Sequence, residues 1–236
     1  MAVLAGKDDE LSGRTAALAR YAVTLTAEPW AITRGHVDDL AANGLDADAV
    51  EVATGVVAMF NYFTRVADAS GIEFDYTSPL PEFEPDMCRV PATRPERADW
   101  PVVAEPRRGF VRRPGLREAW EAWRGYVIGA DEPLDRRQRR MLAAVAAEEC
   151  CDRWRADDLG GHEPRDAAEE RLVEFAGKLS RQPWAMQADD LDDLRNAGHG
   201  EQALLHAMSV VAMQNAESRL AIAQGAIAHA TIAQGA

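Results

Sequence analysis

An internal repeat limits the possible folds of this chain more than any other feature of its sequence. When the sequence is shifted by 154 residues, residues 18–71 lie over residues 172–225 without a gap, and 21 of the 54 aligned positions are identical. The identities include Pro-Trp-Ala at Pro29 and Pro183, together with Asp-Asp-Leu, Gly and Asn at matching positions. Unrelated helices would not keep such a set in register, so the sequence predicts a duplicated three-helix unit.

Each copy of the repeat has the pattern of three helices. In the first copy, apolar residues recur at helical spacing over residues 12–25. A short second helix is expected after an N-cap at Thr33, and a third runs from near Asp46 to Gly71. The composition is rich in Ala, Leu, Glu and Arg and only 7% aromatic, which favours helix over sheet. We therefore expect an all-α protein.

The region between the two copies has a different composition. Residues 72–114 contain eight of the twelve prolines, so no helix can persist there and an extended connector is predicted. Helix is predicted again over residues 115–129, from 134 to about 155, and over 167–179. The predicted organisation is an incomplete N-terminal copy at 1–71, the connector at 72–114, a full domain at 115–225 and an Ala-rich tail at 226–236. The tail is expected either to extend the last helix or to fray.

Charge and cysteine content exclude several classes of protein. A net charge of −13 would repel a polyphosphate backbone, so we expect no nucleic-acid partner. No apolar run approaches the length of a membrane span, and the N-terminus lacks the pattern of a signal peptide, so we expect no membrane partner and a cytoplasmic location. Three cysteines, Cys88, Cys150 and Cys151, are too few for a disulfide framework, and reduced thiols are expected.

The second half of the chain carries a resemblance to a known family. Its elements are the helix at 116–129, Leu-Asp-Arg-Arg at 134–137 opening an Ala-rich helix, Leu172 before Pro183, and Val-Val-Ala-Met-Gln-Asn at 210–215. In this order they resemble the alkylhydroperoxidase D and carboxymuconolactone decarboxylase superfamily, most closely its peroxidase-related branch. The resemblance covers residues 115–225 as a full domain. It implies an alkylhydroperoxidase D-like helical bundle and a homo-oligomer.

The catalytic motif of that family is absent from this chain. Its thiol peroxidases carry a glutamate, a Cys-x-x-Cys pair and a histidine, because a thiolate of lowered pKa attacks the peroxide and a second cysteine resolves the product. Aligned without gaps, the resemblance places these residues at Arg140, Asp152, Arg155 and Leu159. Trp154 falls on the aromatic position before the second cysteine. All four chemical roles are lost.

The sequence therefore predicts a repurposed enzyme. A helix-lined pocket is retained, and a small apolar or acidic metabolite is turned over by acid-base chemistry of the lyase, isomerase or cyclase type. The carboxymuconolactone side of the superfamily already performs such cofactor-free chemistry, as the resemblance implies. No cofactor or metal is expected, because the histidines lack metal-ligand spacing and no nucleotide motif is present. The candidate catalytic residues are Glu148, Glu149, Asp152, Arg155 and His206, and the candidate substrate-binding residues are Asn61, Asn215, Trp154 and Cys151.

Polar residues repeated on the third helix of each copy allow two interpretations. Asn61 and Asn215 lie at the same point of an otherwise apolar helix, and each is either a structural clip or a pocket-lining group, since a buried amide needs partners. Arg65 and Arg219 follow one turn later. The alternatives for these two arginines are an acidic ligand or a bond to Asp68 or Glu217.

Two further functions and one structural interpretation stay open. Asp152 and Arg155 are spaced to form an ion pair at i, i+3 that replaces the former disulfide as a local tie. The chain could be a non-catalytic binding or scaffold subunit. It could also retain thiol peroxidase or reductase activity through Cys150 or Cys151.

Overall fold

Helices account for all regular secondary structure in the part of the chain that the structure describes. The structure is a computed structural model that describes residues 10–72, 92–101, 110–161 and 163–232. The all-α prediction is confirmed for these ranges. The helices are α1 Gly13–Ala27, α2 Arg34–Ala42, α3 Ala47–Ser70, α4 Pro114–Gly129, α5 Arg136–Glu149, α6 Arg153–Leu159, α7 Ala167–Arg181, α8 Ala188–Asn196 and α9 Glu201–Ile232, with 3-10 turns at Pro29–Ala31, Arg97–Asp99 and Pro183–Ala185.

Side-chain caps fix where several of these helices begin. Asp46, Asp135 and Asp166 each accept a backbone N–H three residues ahead, at 2.7 to 2.9 Å, at the start of α3, α5 and α7. These bonds satisfy one of the N–H groups that a helix leaves unpaired at its first turn. Thr33 is the N-cap of α2, as predicted, and Gly71 ends α3 in the left-handed region at φ 64°.

Two series of three helices have matching lengths and spacing. The first block is α1–α3 and the second block is α7–α9. Helices α1 and α7 have 15 residues each, and α2 and α8 have nine each. Each helix of the second block begins 154 positions after its counterpart, and a Pro-Trp-Ala 3-10 turn follows the first helix of each block. Helix α9 continues past residue 226 to Ile232, so the predicted tail extends the last helix in its described part.

The packing joins the two blocks along α3 and α9. These helices share the most extensive helix–helix contact among the described elements. One apolar core forms around α4, α5, α7 and α9, and a second lies among α1, α2 and α3. The C-terminal part of α9 completes the second core through Ile222 and Ile227. Both cores thus depend on α9.

The predicted helix from residue 134 to about 155 is wrong at its C-terminal end. Helix α5 ends at Glu149 and α6 begins at Arg153. Between them Cys151 has φ 56°, in the left-handed region, where a right-handed helix cannot continue. Asp152 then caps α6 by accepting the backbone N–H of Arg155 at 3.2 Å.

The described part of the connector includes a segment held against α5 and α6. In residues 92–101, Trp100 is buried and donates its Nε1–H to the Pro95 carbonyl at 3.1 Å. The Arg97 guanidinium bonds to Asp157 at 2.6 Å and lies over the Trp100 ring. These contacts place Arg94 beside the end of α5. Most of the remaining connector, with Cys88, and also His162 lie outside the described residues.

A tight helix contact gives a first stability prediction. A Cβ on Gly55 in α3 would lie 2.6 Å from ring Cε1 of the buried Phe110. We expect Gly55→Ala to lower the free energy of unfolding by roughly 1–3 kcal/mol, because the core must shift to admit the methyl group. Gly125→Ala in α4 is the control, since a Cβ there meets nothing within 4 Å. It should raise the stability by about 0.5–1 kcal/mol. Urea unfolding measures both, and equal effects would contradict the contact.

Candidate functional site

A cavity of about 600 Å³ lies between the two blocks. The ends of α1 and α7, with the Pro-Trp-Ala turn that follows each, supply matching parts of its wall. Helix α3 supplies a third side, α9 contributes Arg219, and α5 contributes its last residue, Glu149. The apolar and aromatic part of the lining is Ala22, Ala27, Pro29, Trp30, Val56, Val57, Phe60, Ala92, Pro183 and Trp184.

The first Asn–Arg pair lies at the buried end of this cavity. Asn61 Oδ1 accepts from Arg65 Nη1 at 2.7 Å, and Asn61 Nδ2 donates to Thr26 Oγ1 at 3.1 Å. Arg65 Nη2 crosses to the second block and donates to the Ser180 carbonyl at 3.1 Å. Asn61 therefore acts as a clip that orients Arg65, and it also lines the cavity.

The second Asn–Arg pair repeats this arrangement from the other block. Asn215 Oδ1 accepts from Arg219 Nη1 at 3.0 Å, and Asn215 Nδ2 donates to Ser180 Oγ at 2.9 Å. Arg219 Nη2 crosses to the first block and donates to the Thr26 carbonyl at 2.7 Å. Each block thus supplies an arginine to the end of the other block's first helix. Of the two alternatives for these arginines, the bonds to Asp68 and Glu217 are not formed, because the guanidinium groups donate to other acceptors.

Both arginines are buried without an acidic partner among the described residues. Arg65 and Arg219 are 4% and 3% exposed, and the Nε atom of each is buried with no hydrogen-bond acceptor. Burial, and then the nearby Arg219 charge, lower the pKa of Arg65 to about 9. Asp68, exposed one turn further along α3, forms no ion pair with Arg65, although its charge acts to raise the pKa of Arg65. The buried end of the cavity is consequently a region of positive charge.

Glu149 is the one carboxylate that described residues contribute to the cavity wall. Its Oε2 lies 3.4 Å from Arg94 Nη1 and 3.3 Å from Arg181 Nε. Burial raises the pKa of Glu149, although Arg94 and Arg181 act in the opposite direction. Glu148, its neighbour, instead pairs with Arg97 at 3.3 Å and does not line the cavity. The structure therefore separates two glutamates that the sequence leaves equivalent.

Cys150 and Cys151 are buried, free thiols. Arg219 Nη1 donates to Cys150 Sγ at 3.1 Å. Burial raises the pKa of Cys150 despite this contact, and burial together with Cys150 raises the pKa of Cys151 to about 12. Neither thiol is part of the cavity wall. A nucleophilic thiolate instead needs a lowered pKa and a partly exposed position.

Asp152 and Arg155 belong to a different buried cluster. Their predicted ion pair is wrong, because Asp152 accepts the backbone N–H of Arg155, whose guanidinium donates instead to Glu217 at 3.0 Å. Glu217 also accepts from Arg124 at 2.9 Å and from Trp120 Nε1 at 2.5 Å. The substrate-binding candidate Trp154 stacks against the Arg155 guanidinium. None of these residues lines the cavity.

Asp152 gives a pH-dependent prediction. Burial raises its pKa from 3.8 to about 6, so the folded state holds the proton more tightly than the unfolded state. The contribution of Asp152 to the free energy of unfolding is fully present below pH 3.8 and is lost as the pH rises through 6. The protein is therefore less stable by about 3 kcal/mol at higher pH than it is below pH 3.8, as far as this group is concerned. Asn keeps the cap without the charge. Asp152→Asn should therefore raise the free energy of unfolding by up to about 3 kcal/mol near pH 8 and much less near pH 4.

The same exchange at an exposed N-cap is the control for this measurement. Asp166→Asn at the start of α7 should change the stability little at either pH, because Asp and Asn cap helices about equally well. Urea unfolding at the two pH values compares the variants. An equal effect of Asp152→Asn at both pH values would contradict a buried, titrating carboxyl group.

His206 lies outside the cavity on the other side of α9. Its Nδ1 is 2.8 Å from Arg139 Nη2, and its ring is 6.1 Å from that of Tyr126. Burial and Arg139 lower the pKa of His206. Arg139 is fully buried and donates to three carbonyls, those of Val127, Glu132 and Leu134. The structure thus gives His206 no contact with Glu149.

The cavity contains two of the predicted site residues, Glu149 and Asn61. Asn215 does not line the cavity but is hydrogen-bonded to Arg219, which does. The remaining candidates are not part of the cavity wall. Sequence reasoning missed the Trp pair, Trp30 and Trp184. The signal was available, since the repeat keeps Pro-Trp-Ala at both positions.

Within the described ranges, no His, Cys, Asp and Glu side chains group to hold a metal ion. No helix in those ranges has the length and apolar character to cross a membrane. No protein-family model, curated protein or solved structure matches the chain.

Proposed function

We propose that this chain is a cofactor-independent enzyme that binds a small metabolite in the cavity between its blocks and acts on it by acid-base chemistry. The observation that carries the proposal is the position of Glu149, a partly buried carboxyl group of raised pKa on an otherwise largely apolar wall. A carboxyl group in such an environment is suited to moving protons near neutral pH. The reaction class is that of a lyase, isomerase or cyclase.

The proposal includes an ancestry for the fold. The chain is proposed to have an alkylhydroperoxidase D-like fold built from a duplicated three-helix unit. The equal spacing of the helix starts and the reciprocal bonds of Arg65 and Arg219 support a duplication. Asp152 and Arg155, where the resemblance places the two cysteines, take part in buried packing instead. Loss of the thiol pair is then compatible with a retained fold.

A homo-oligomer and a cytoplasmic location are part of the same proposal. The exposed apolar residues Val52 and Phe63 lie on the same side of α3 as the cavity-lining Val56 and Phe60, and they support a self-association surface beside the cavity. Light scattering on the purified protein tests the oligomer. A monomer at all concentrations would remove that part of the proposal.

Deuterium exchange tests the enzymatic proposal. The protein is incubated in D₂O with a panel of small 2-oxo acids, unsaturated acids and their neutral analogues, and ligand protons are followed by NMR. We expect catalysed exchange or rearrangement of at least one class at a C–H bond next to a carbonyl group. Compounds that bind, as judged by thermal shift, but never exchange would instead favour a non-catalytic binding subunit.

That binding-subunit alternative has its own supporting observation. Glu149 lies between Arg94 and Arg181, and such pairing favours a carboxylate that stays ionised. The thiol peroxidase alternative has less support, because both thiols are buried with raised pKa values. A peroxide assay with a thiol reductant, repeated on Cys150→Ser and Cys151→Ser, tests it. Cysteine-dependent turnover would revive that alternative.

A further inference from the structure

We propose that the ligand of this cavity is a monocarboxylic acid with an apolar body, whose carboxylate binds between Arg65 and Arg219. This inference deepens the proposed function, since it names the substrate class of the same cavity. It concerns recognition alone and does not require that Glu149 transfer a proton. The argument rests on charge, on the number of free donors and on the character of the walls.

The charge argument starts from two buried cations. Arg65 and Arg219 come from different blocks, yet both guanidinium groups lie at the buried end of one cavity. Buried charges in proteins are normally paired, because removal from water is costly and like charges repel. Among the described residues no carboxylate accepts a hydrogen bond from either arginine, and only the exposed Asp68 acts on Arg65 through its charge. An anionic ligand would supply the missing charge at the place where it is needed.

The donor argument concerns the N–H groups that remain free. Arg65 directs its Nη1 to Asn61 and one Nη2 N–H to the Ser180 carbonyl. Arg219 directs its Nη1 to Asn215 and one Nη2 N–H to the Thr26 carbonyl. Of the five N–H groups on a guanidinium, one Nη2–H then remains for a ligand on each arginine, because the unbonded Nε–H is itself buried. These two N–H groups, one from each arginine, match the two oxygens of one carboxylate.

The same bonds hold both guanidinium groups in place before a ligand arrives. Asn61 and Asn215 each contact the arginine one turn later on the same helix, and the carbonyl acceptors come from the opposite block. Pre-organised donors lose little entropy on binding, and planar guanidinium groups suit a planar carboxylate. A phosphate group, with more oxygens and a higher charge, would leave acceptors unpaired here.

The walls determine the rest of the ligand. Trp30 and Trp184 follow the two blocks' first helices at matching positions, and Val56 and Phe60 border the cavity from α3. A volume of about 600 Å³ is in the range of pockets that enclose small organic molecules. The other charged groups that described residues place on the wall are Glu149 and its partners Arg94 and Arg181. A compound with one acidic end and an aromatic or aliphatic body fits this distribution.

Calorimetric titration with matched probes tests the proposal on the wild-type protein. The probes are 3-phenylpropionate, its neutral amide 3-phenylpropionamide, and phenyl phosphate. We expect 3-phenylpropionate to bind at least tenfold more tightly than either other compound. Equal binding of the amide would overturn the role of the arginines, and tighter binding of the phosphate would overturn the carboxylate assignment. Absence of binding by 3-phenylpropionate at millimolar concentration would also overturn the proposal.

Arginine variants locate the carboxylate. Arg65→Lys and Arg219→Lys keep a positive charge but lose the planar donor group, and each should weaken 3-phenylpropionate binding at least tenfold. Arg139→Lys is the matched control, because Arg139 is also buried and bonded to carbonyls but does not line the cavity. It should leave affinity unchanged. Circular dichroism confirms that each variant is folded, and a folded Arg65→Lys with wild-type affinity would contradict the assignment.

The outcomes separate this inference from the proposed function. Arginine-dependent binding of the acid without any proton exchange would sustain the inference and defeat the enzymatic proposal. Proton exchange that depends on Glu149 but is equally fast for acids and amides would support the enzymatic proposal and contradict the carboxylate inference.

Discussion

Replacing Glu149 with Gln is expected to lower the rate of proton exchange in the cavity by roughly 10²- to 10⁴-fold. Gln has nearly the same shape but cannot accept or release a proton at neutral pH. Ligand affinity should change much less, because the ligand carboxylate is proposed to bind Arg65 and Arg219 and not Glu149. NMR measurement of exchange in D₂O, with calorimetric titration of the same ligand, determines both quantities.

Glu148→Gln provides the matched control for this experiment. Glu148 precedes Glu149 at the end of α5, but its carboxylate pairs with Arg97 and lies off the cavity wall. Its exchange rate should remain within a few-fold of the wild-type rate. If Glu149 acts as a base, the wild-type rate should increase as the pH rises through its raised pKa, since only the ionised form accepts a proton. A Glu149→Gln variant that retains the wild-type rate would remove Glu149 from the mechanism.

Replacing Glu217 with Ala is expected to lower the free energy of unfolding by roughly 3–5 kcal/mol. The carboxylate is buried and accepts hydrogen bonds from Arg155, Arg124 and Trp120 Nε1. Its loss leaves the Arg155 guanidinium without its acidic partner and the buried Trp120 N–H without an acceptor. Unpaired buried groups carry the full cost of removal from water. Urea unfolding at constant pH measures the loss.

Two further substitutions show whether burial causes that effect. Glu217→Gln keeps an acceptor for Trp120 but removes the charge, so its cost should lie below that of the Ala variant. Glu174→Ala removes an exposed carboxylate that pairs with Arg171 at 2.6 Å on the surface of α7, and it should cost much less stability than Glu217→Ala. A Glu217→Ala variant as stable as Glu174→Ala would show that the cluster contributes little.

The sequence was more informative about helices than about the site. Helical periodicity and capping residues depend on neighbours within a few positions, so Thr33, Asp46 and Gly71 could be assigned correctly as helix ends. The partner of Arg155 could not be predicted from local patterns, because Glu217 is 62 positions away on another helix. For the same reason Glu148 and Glu149 looked equivalent, since their different environments come from Arg97, Arg94 and Arg181.

The break after α5 shows a limit of local patterns. Residues 134–155 contain no Gly or Pro that would end a helix, and an uninterrupted helix was the natural prediction. Tertiary packing overrides this preference, since Cys150 and Cys151 are both buried and Cys151 takes a left-handed conformation. Such a conformation persists only when the surrounding structure holds it.

The sequence by itself determined that this chain is helical and that two of its segments share one pattern. Only the tertiary structure decided which residues of each copy are buried and which are exposed. Val56 and Val210 occupy the same repeat position, yet Val56 is 51% exposed and Val210 is fully buried. The reason is that α5 packs on α9, whereas none of the described helices packs on α3 in the corresponding way. Repeated residues specify equal local structure, but burial, charge and access depend on neighbours that the repeat does not contain.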